Sequence, residues 1–307
     1  MKIVKSYIVV FFFGLLLFIF GCDNPAPTEL VQDNSAQESP VQVQVLTKDT
    51  SNEYYSNGFD TTGVATTYSG TSDVVTISGV KVTVNNITTS SSLAQAVFFD
   101  KSHAVHSSNG GVMGYLTIAP GIVKFNNQRA AKILYHLRFN DHGIHRDTVL
   151  GYQYILSQNS AIPFNFDYGS SISFQLDQMN GGMQYSFNIP TPEEITGRVN
   201  LTGKKVNGNL NALLEWNAST LSNTKVVEII LGVMVKGTNT SYPLYKLSAS
   251  DNGKLSVPPK LLNEIPFNKY DRFVFTFIRQ FIIHHNEQGN DLTVYSQSIH
   301  SIILNIP

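Results

Sequence analysis

Residues 272–283 read Arg-Phe-Val-Phe-Thr-Phe-Ile-Arg-Gln-Phe-Ile-Ile. Phe273, Phe275 and Phe277 recur at every second position, which puts three rings on one face of an extended chain. Nearby stretches carry the same texture. Leu210, Ala212, Leu214 and Trp216 alternate in a run that ends on the only tryptophan. Val226–Val235 is a long apolar run, too β-branched for a comfortable helix. Phe273, Phe275, Phe277 and Trp216 are expected in a core.

Outward from there the pattern continues. Residues 242–247 form a further strand candidate. Asp251-Asn252-Gly253 is a turn into residues 254–258, and residues 261–265 offer one helical turn. Residues 286–290 are a polar loop, and residues 292–295 and 298–306 read as closing strands.

The first half is less regular but also β-rich. Asp73–Val84, broken by Ser78-Gly79, reads as two short strands or one bent strand. Residues 93–99, Val112–Ile118, 122–126, 133–139, 149–156, 172–176 and 183–189 follow. Asn109-Gly110-Gly111, Pro120-Gly121, Asp141-His142-Gly143 and Asn180-Gly181-Gly182 stand between them as turn signals. Pro190-Thr191-Pro192 is the best internal boundary, because prolines stiffen an extended link and cannot join a central ladder. Closely spaced strands with turn signals and no long helical pattern predict an all-β protein: two β-sandwich, immunoglobulin-like domains over residues 51–190 and 195–307.

Residues 22–50 are rich in Gln, Asn, Ser, Asp and Glu and carry Pro25, Pro27 and Pro40. They read as a disordered tether, reaching on the order of 30 Å as a flexible coil. Within it Val-Gln-Val-Gln-Val-Leu at 41–46 alternates, and a first strand there is the other reading.

Residues 1–21 have the layout of a secretory signal peptide: Lys2 and Lys5, then an almost wholly apolar run from Tyr7 to Phe20. That run is shorter than the roughly 20 residues of a spanning helix. It closes on Gly21-Cys22, and Cys22 is the only cysteine. Phe18-Ile19-Phe20-Gly21-Cys22 resembles the lipobox of bacterial lipoproteins, although Phe18 stands where leucine is commoner and Phe20 is bulky for its position. The resemblance implies cleavage before Cys22, a diacylglycerol on its thiol and an N-acyl chain. Each buried methylene contributes about 0.8 kcal/mol, so several chains on one residue make release slow.

Leu214-Glu215-Trp216, with Asp251-Asn252-Gly253 and Val257-Pro258 beyond it, resembles an immunoglobulin-like or fibronectin type III-like sandwich. With one cysteine, a disulfide-bonded immunoglobulin domain is excluded. The formal charge of −1 and the lack of a basic patch argue against nucleic acid.

The chain has no Gly-x-Ser-x-Gly elbow, phosphate loop, His-Glu-x-x-His or calcium-loop spacing. The weak metal candidates are His103, His106, His142 and His145, with Asp141 and Asp147 nearby. An i, i+3 pair on a strand points to opposite faces, so surface or loop histidines are the plainer reading. His284 and His285 read as surface residues facing opposite ways, and Glu193-Glu194 as solvated on the link. Tyr54, Tyr55, Tyr68, Tyr152 and Tyr154 would stack on sugar rings if exposed. The expectation is a lipid-anchored protein of the bacterial membrane or envelope, without a cofactor, in a non-catalytic binding or structural role. Its expected partners are the membrane and an envelope protein or polysaccharide. The alternatives are a surface carbohydrate- or protein-binding module and, from another class, a hydrolase or metal-dependent enzyme.

Overall fold

The computed structural model describes residues 41–46, 55–56, 72–106, 110, 112–141, 144–160, 162–178, 185–221, 225–287 and 290–307. The strands of the first half are β1 (Gln42–Val45), β2 (Tyr55–Ser56), β3 (Asp73–Val84), β4 (Ile87–His106), β5 (Val112–Ile118), β6 (Gly121–Phe125), β7 (Gln128–Arg129), β8 (Ala131–Asp141), β9 (Ile144–Ser157), β10 (Ser171–Gln178) and β11 (Tyr185–Pro190). Those of the second half are β12 (Gly197–Thr202), β13 (Asn211–Trp216), β14 (Val226–Val235), β15 (Ser241–Ser250), β16 (Lys254–Val257), β17 (Tyr270–Glu287) and β18 (Asn290–Asn305). Among the described residues, helix is confined to α1 (Pro259–Asn263) and a 3-10 turn at Lys205–Asn207. Of the described residues, strand makes up 69% and helix 4%, so the fold is all-β.

One sheet of eleven strands runs through both halves, in the order β1-β15-β14-β17-β18-β3-β4-β9-β8-β2, with β5 on β4. It is mixed: β18 and β3 pair in parallel from Leu292↔Asp73 to Ile303↔Val84. Two small sheets, β11-β10-β6-β7 and β12-β13-β16, contribute to the cores built on the large one.

The Phe-rich strand shows how. Along β17 the inner face presents Phe273, Phe275 and Phe277, all fully buried, to a core shared with Trp216, Leu214 and Val257. Two residues on, Arg279 takes the same face, also fully buried. Ile283 then packs against a second core, built from Val75, Ile77, Phe98, Phe125, Phe174 and their neighbours. Strand β18 repeats the plan. Leu292 and Val294 belong to the second core, Ser296, Ser298 and His300 are buried and polar, and Ile302 belongs to the first. The β17–β18 hairpin therefore spans both cores, with a polar seam between them.

In the second half, β12, β13 and β16 face β15, β14, β17 and β18. Counted within that half, strands one, two and five oppose four, three, six and seven. The central strands are buried on their outer face as well, where Ile230, Ile278 and Ile299 cluster. That double burial explains why Val226–Val235 is apolar without a break.

Of the segment read as tether, residues 41–46 are described, and Gln42–Val45 is a strand on the edge of the large sheet, paired with β15. The alternation decides this: Val43 is buried and both glutamines are exposed. The stretch Asp73–Val84 is one strand. Its Gly79 leaves room for a ring, since a Cβ there would lie 2.4 Å from the Tyr168 hydroxyl.

Candidate functional site

The densest buried polar network lies at the seam. Arg279 uses all five N–H donors: Nε to Asp251 Oδ2 (2.9 Å), Nη2 to Asp251 Oδ1 (3.1 Å) and Asn217 O (2.6 Å), and Nη1 to Glu193 O (3.3 Å) and Glu194 O (3.2 Å). The Trp216 indole N–H donates to Asp251 Oδ1 at 2.8 Å. Residues 191–196, the link after Pro190, lie between strands and are held by side chains as well as by backbone bonds at Thr191, Pro192 and Thr196. Ile195 N–H donates to Ser298 Oγ (2.8 Å), Thr196 N–H to Asn217 Oδ1 (2.6 Å) and Gly197 N–H to His300 Nδ1 (2.8 Å).

Because His300 Nδ1 accepts, the neutral ring carries its proton on Nε2, which donates to Thr83 Oγ1 on β3 at 2.8 Å. Burial holds the His300 pKa below its ordinary value, and the Lys81 charge adds to this. Glu193 and Glu194, expected to be solvated, are partly exposed and also hold the link. The Glu193 carboxylate accepts from Ser219 Oγ (2.8 Å), Thr220 N–H (2.8 Å) and Thr220 Oγ1 (2.5 Å). These bonds, from Thr220 first, lower its pKa. Glu194 pairs with Lys81 at 2.8 Å. The arrangement is a clasp. Its charges are satisfied by each other and by the backbone.

An open concavity lies elsewhere, at the mouth of the first-half sandwich. Asn126 and Asn127, both left-handed (φ 47° and 62°), turn β6 back into β7. The chain then crosses at Ala130–Ala131 from the small sheet into the large one as β8. Between this crossing and the end of β9 lies a cleft of about 570 Å³, within the range usual for ligand sites. Its floor is Val123, Tyr154 and Leu156, all buried. Tyr154 OH donates to Gly121 O at 2.7 Å, and burial raises its pKa. Ile122, Ala130 and Ile162 add apolar wall, with Ile162 64% exposed. Arg129 and Lys132 stand on the rim. Gln128 Oε1 is buried there without a hydrogen-bond partner.

Among the described side chains, those singled out from sequence are not brought together. His103 and His106 lie on β4, where His103 Nδ1 meets Asp100 Oδ2 at 2.7 Å and His106 Nδ1 meets Gly110 O at 3.1 Å. Asp147 pairs with His136 instead, at 2.8 Å. Asp141 and His145 are described only as backbone of β8 and β9. Among the described residues, no three of His, Cys, Asp and Glu gather as a metal site. Cys22, Tyr54, Tyr68 and His142 lie outside the described residues, and Tyr55 is described only as backbone of β2. His284 and His285 do face opposite ways. His284 Nδ1 meets Thr293 Oγ1 at 3.3 Å, and His285 packs on Phe187 with ring centres 4.1 Å apart. Tyr154 is core. Tyr152 is 40% exposed, with Lys132 Nζ 4.6 Å from its ring centre.

The reading by motif missed both Arg279 and the cleft. Arg279 had a signal: it stands two residues after Phe277 on the same strand face, a charge where the period demands an apolar residue. The cleft had none, since its lining comes from edges of two sheets. No protein-family model, no curated protein and no solved structure matches this chain.

Proposed function

We propose that this chain is a lipoprotein of the bacterial cell envelope, held to the membrane by acyl chains on Cys22, with a non-catalytic binding role. The observation that carries the reading is Gly21-Cys22 closing an apolar run behind Lys2 and Lys5, in a chain with no other cysteine. A lone thiol in an exported protein is a liability that acylation removes. The cleft at the mouth of the first-half sandwich supplies a place for a ligand, and the clasp joins that sandwich firmly to its neighbour.

The second-half sandwich is of the fibronectin type III-like kind in this reading. Its support is the strand order, one-two-five against four-three-six-seven, and Trp216 on its second strand facing the core. Fold alone does not set function, so the test goes to the anchor. Cells fed a labelled fatty acid are expected to label the wild-type chain and to leave Cys22→Ala unlabelled. Equal label on Cys22→Ala would sink the proposal.

A further inference from the structure

We infer that the cleft binds a single-chain acyl amphiphile whose anionic head carries a hydrogen-bond donor beside the charge. This rests on the binding role proposed above and names its ligand class.

The apolar part is set by the walls. Ile122, Ala130, Leu156 and Ile162 present aliphatic surface over a floor closed by Tyr154. The strip continues beyond the cleft. In the β8–β9 register Lys132 opposes Tyr154 and Leu134 opposes Tyr152, so Leu134 and Tyr152 share the face of Tyr154. Leu134 is 48% and Val149 47% exposed. The small sheet ends at β7, and among the described strands none extends it over this part of the large sheet. A flexible chain entering at Ile122 meets further exposed apolar surface on this face at Leu134 and Val149, past the Lys132 side chain.

The head is set by the rim. Neither Arg129 nor Lys132 is paired with a carboxylate among the described residues, and both line the same opening. Two cations without a carboxylate partner among the described residues, beside apolar surface, complement an anion with an apolar tail. Gln128 Oε1 on the same wall lacks a donor, and a buried acceptor without one is costly. A ligand amide N–H or hydroxyl next to the anion satisfies it.

Other occupants fit less well. A sugar ring needs a flat aromatic face, but Lys132 covers Tyr152 and Tyr154 is only 2% exposed. Along β7 an added peptide strand finds little template, since β7 is two residues long.

The test uses the full chain in its own membranes. N-palmitoylglycine with a photoreactive diazirine in the acyl chain is added, irradiated, and its attachment mapped by peptide mass spectrometry. Attachment is expected within residues 121–134 and 149–162. It should fall about tenfold or more in Arg129→Glu/Lys132→Glu, where two attractive contacts become repulsive. Ile162→Glu, at an exposed position, should lower it too. Unaltered protease resistance of each variant separates loss of binding from loss of fold. Equal labelling by the methyl ester, labelling by a diazirine-bearing oligosaccharide instead, or no label in the cleft would each overturn the inference. The anchor is read in the same samples. Unacylated Cys22 with a labelled cleft sinks the anchor reading alone, and acylated Cys22 with an unlabelled cleft sinks the ligand reading alone.

Discussion

Arg279 is the side chain on which the seam depends. The side chain of its partner Asp251 is 2% exposed and its own is fully buried, so neither charge has water to fall back on. Removing one partner of a buried pair costs about 3–5 kcal/mol, because the other is left uncompensated. Arg279→Met should therefore lower the denaturation midpoint strongly, and Asp251→Leu likewise. The double variant should be less damaged than the sum of the two, as a double-mutant cycle on unfolding free energies will show. Additive losses would mean that the pair is not coupled. Arg279→Lys should recover little, since a point charge cannot replace five donors in a fork. Phe275, fully buried in the first core, is a plainer case: Phe275→Ala should cost about 3–5 kcal/mol. The three phenylalanines were legible because their period is unbroken. Arg279 was equally legible on the same strand, but a period read for apolar residues passes over the charge that interrupts it.

At the scale of elements, the connector at residues 191–196 joins the two cores with the help of side chains, and His300 of β18, which accepts from Gly197 N–H at its end, is a titratable partner. The groups facing it are Lys81 and Glu194, which pair with each other, and the neutral Thr83 and Gly197. Its pKa is lowered from 6.5. The unfolded chain therefore takes up a proton as pH falls through about 6.5, where the folded protein does not. More protons are bound in the unfolded state, so stability falls with decreasing pH in that window and is flat above it. Protonation at Nδ1 also sets two donors against each other, the ring and Gly197 N–H. The urea midpoint should drop between pH 7.5 and 5.5, and by less in His300→Gln. A wild-type midpoint that is constant over that range would contradict this. Glu193, whose pKa is lowered from 4.5, loses its contribution only at more acid pH and does not confuse the measurement. Short elements were unevenly legible. The Asp251-Asn252-Gly253 turn was plain, whereas Asn85-Asn86 and Asn126-Asn127 turn two hairpins through left-handed asparagines without glycine, a weaker signal.

For the molecule as a whole, the β17–β18 hairpin makes the two sandwiches one sheet. Trp216 reports on the first core, and amide exchange in β3 and β10 reports on the second. Their unfolding midpoints in denaturant should coincide, as in a single cooperative unit. Two separated transitions would show that the seam does not couple the cores. The all-β class followed from alternation and turn residues alone. The β18–β3 pairing did not, because nothing local marks two strands more than two hundred residues apart as neighbours. The cleft escaped for the same reason, being made where a chain changes sheets. The central claim concerns the opposite end of the chain and has a direct test. The intact mass of the protein extracted from membranes should match a chain that begins at Cys22 and carries a diacylglycerol with an added acyl group. A chain that still begins at Met1, with Cys22 as a free thiol, would contradict the account.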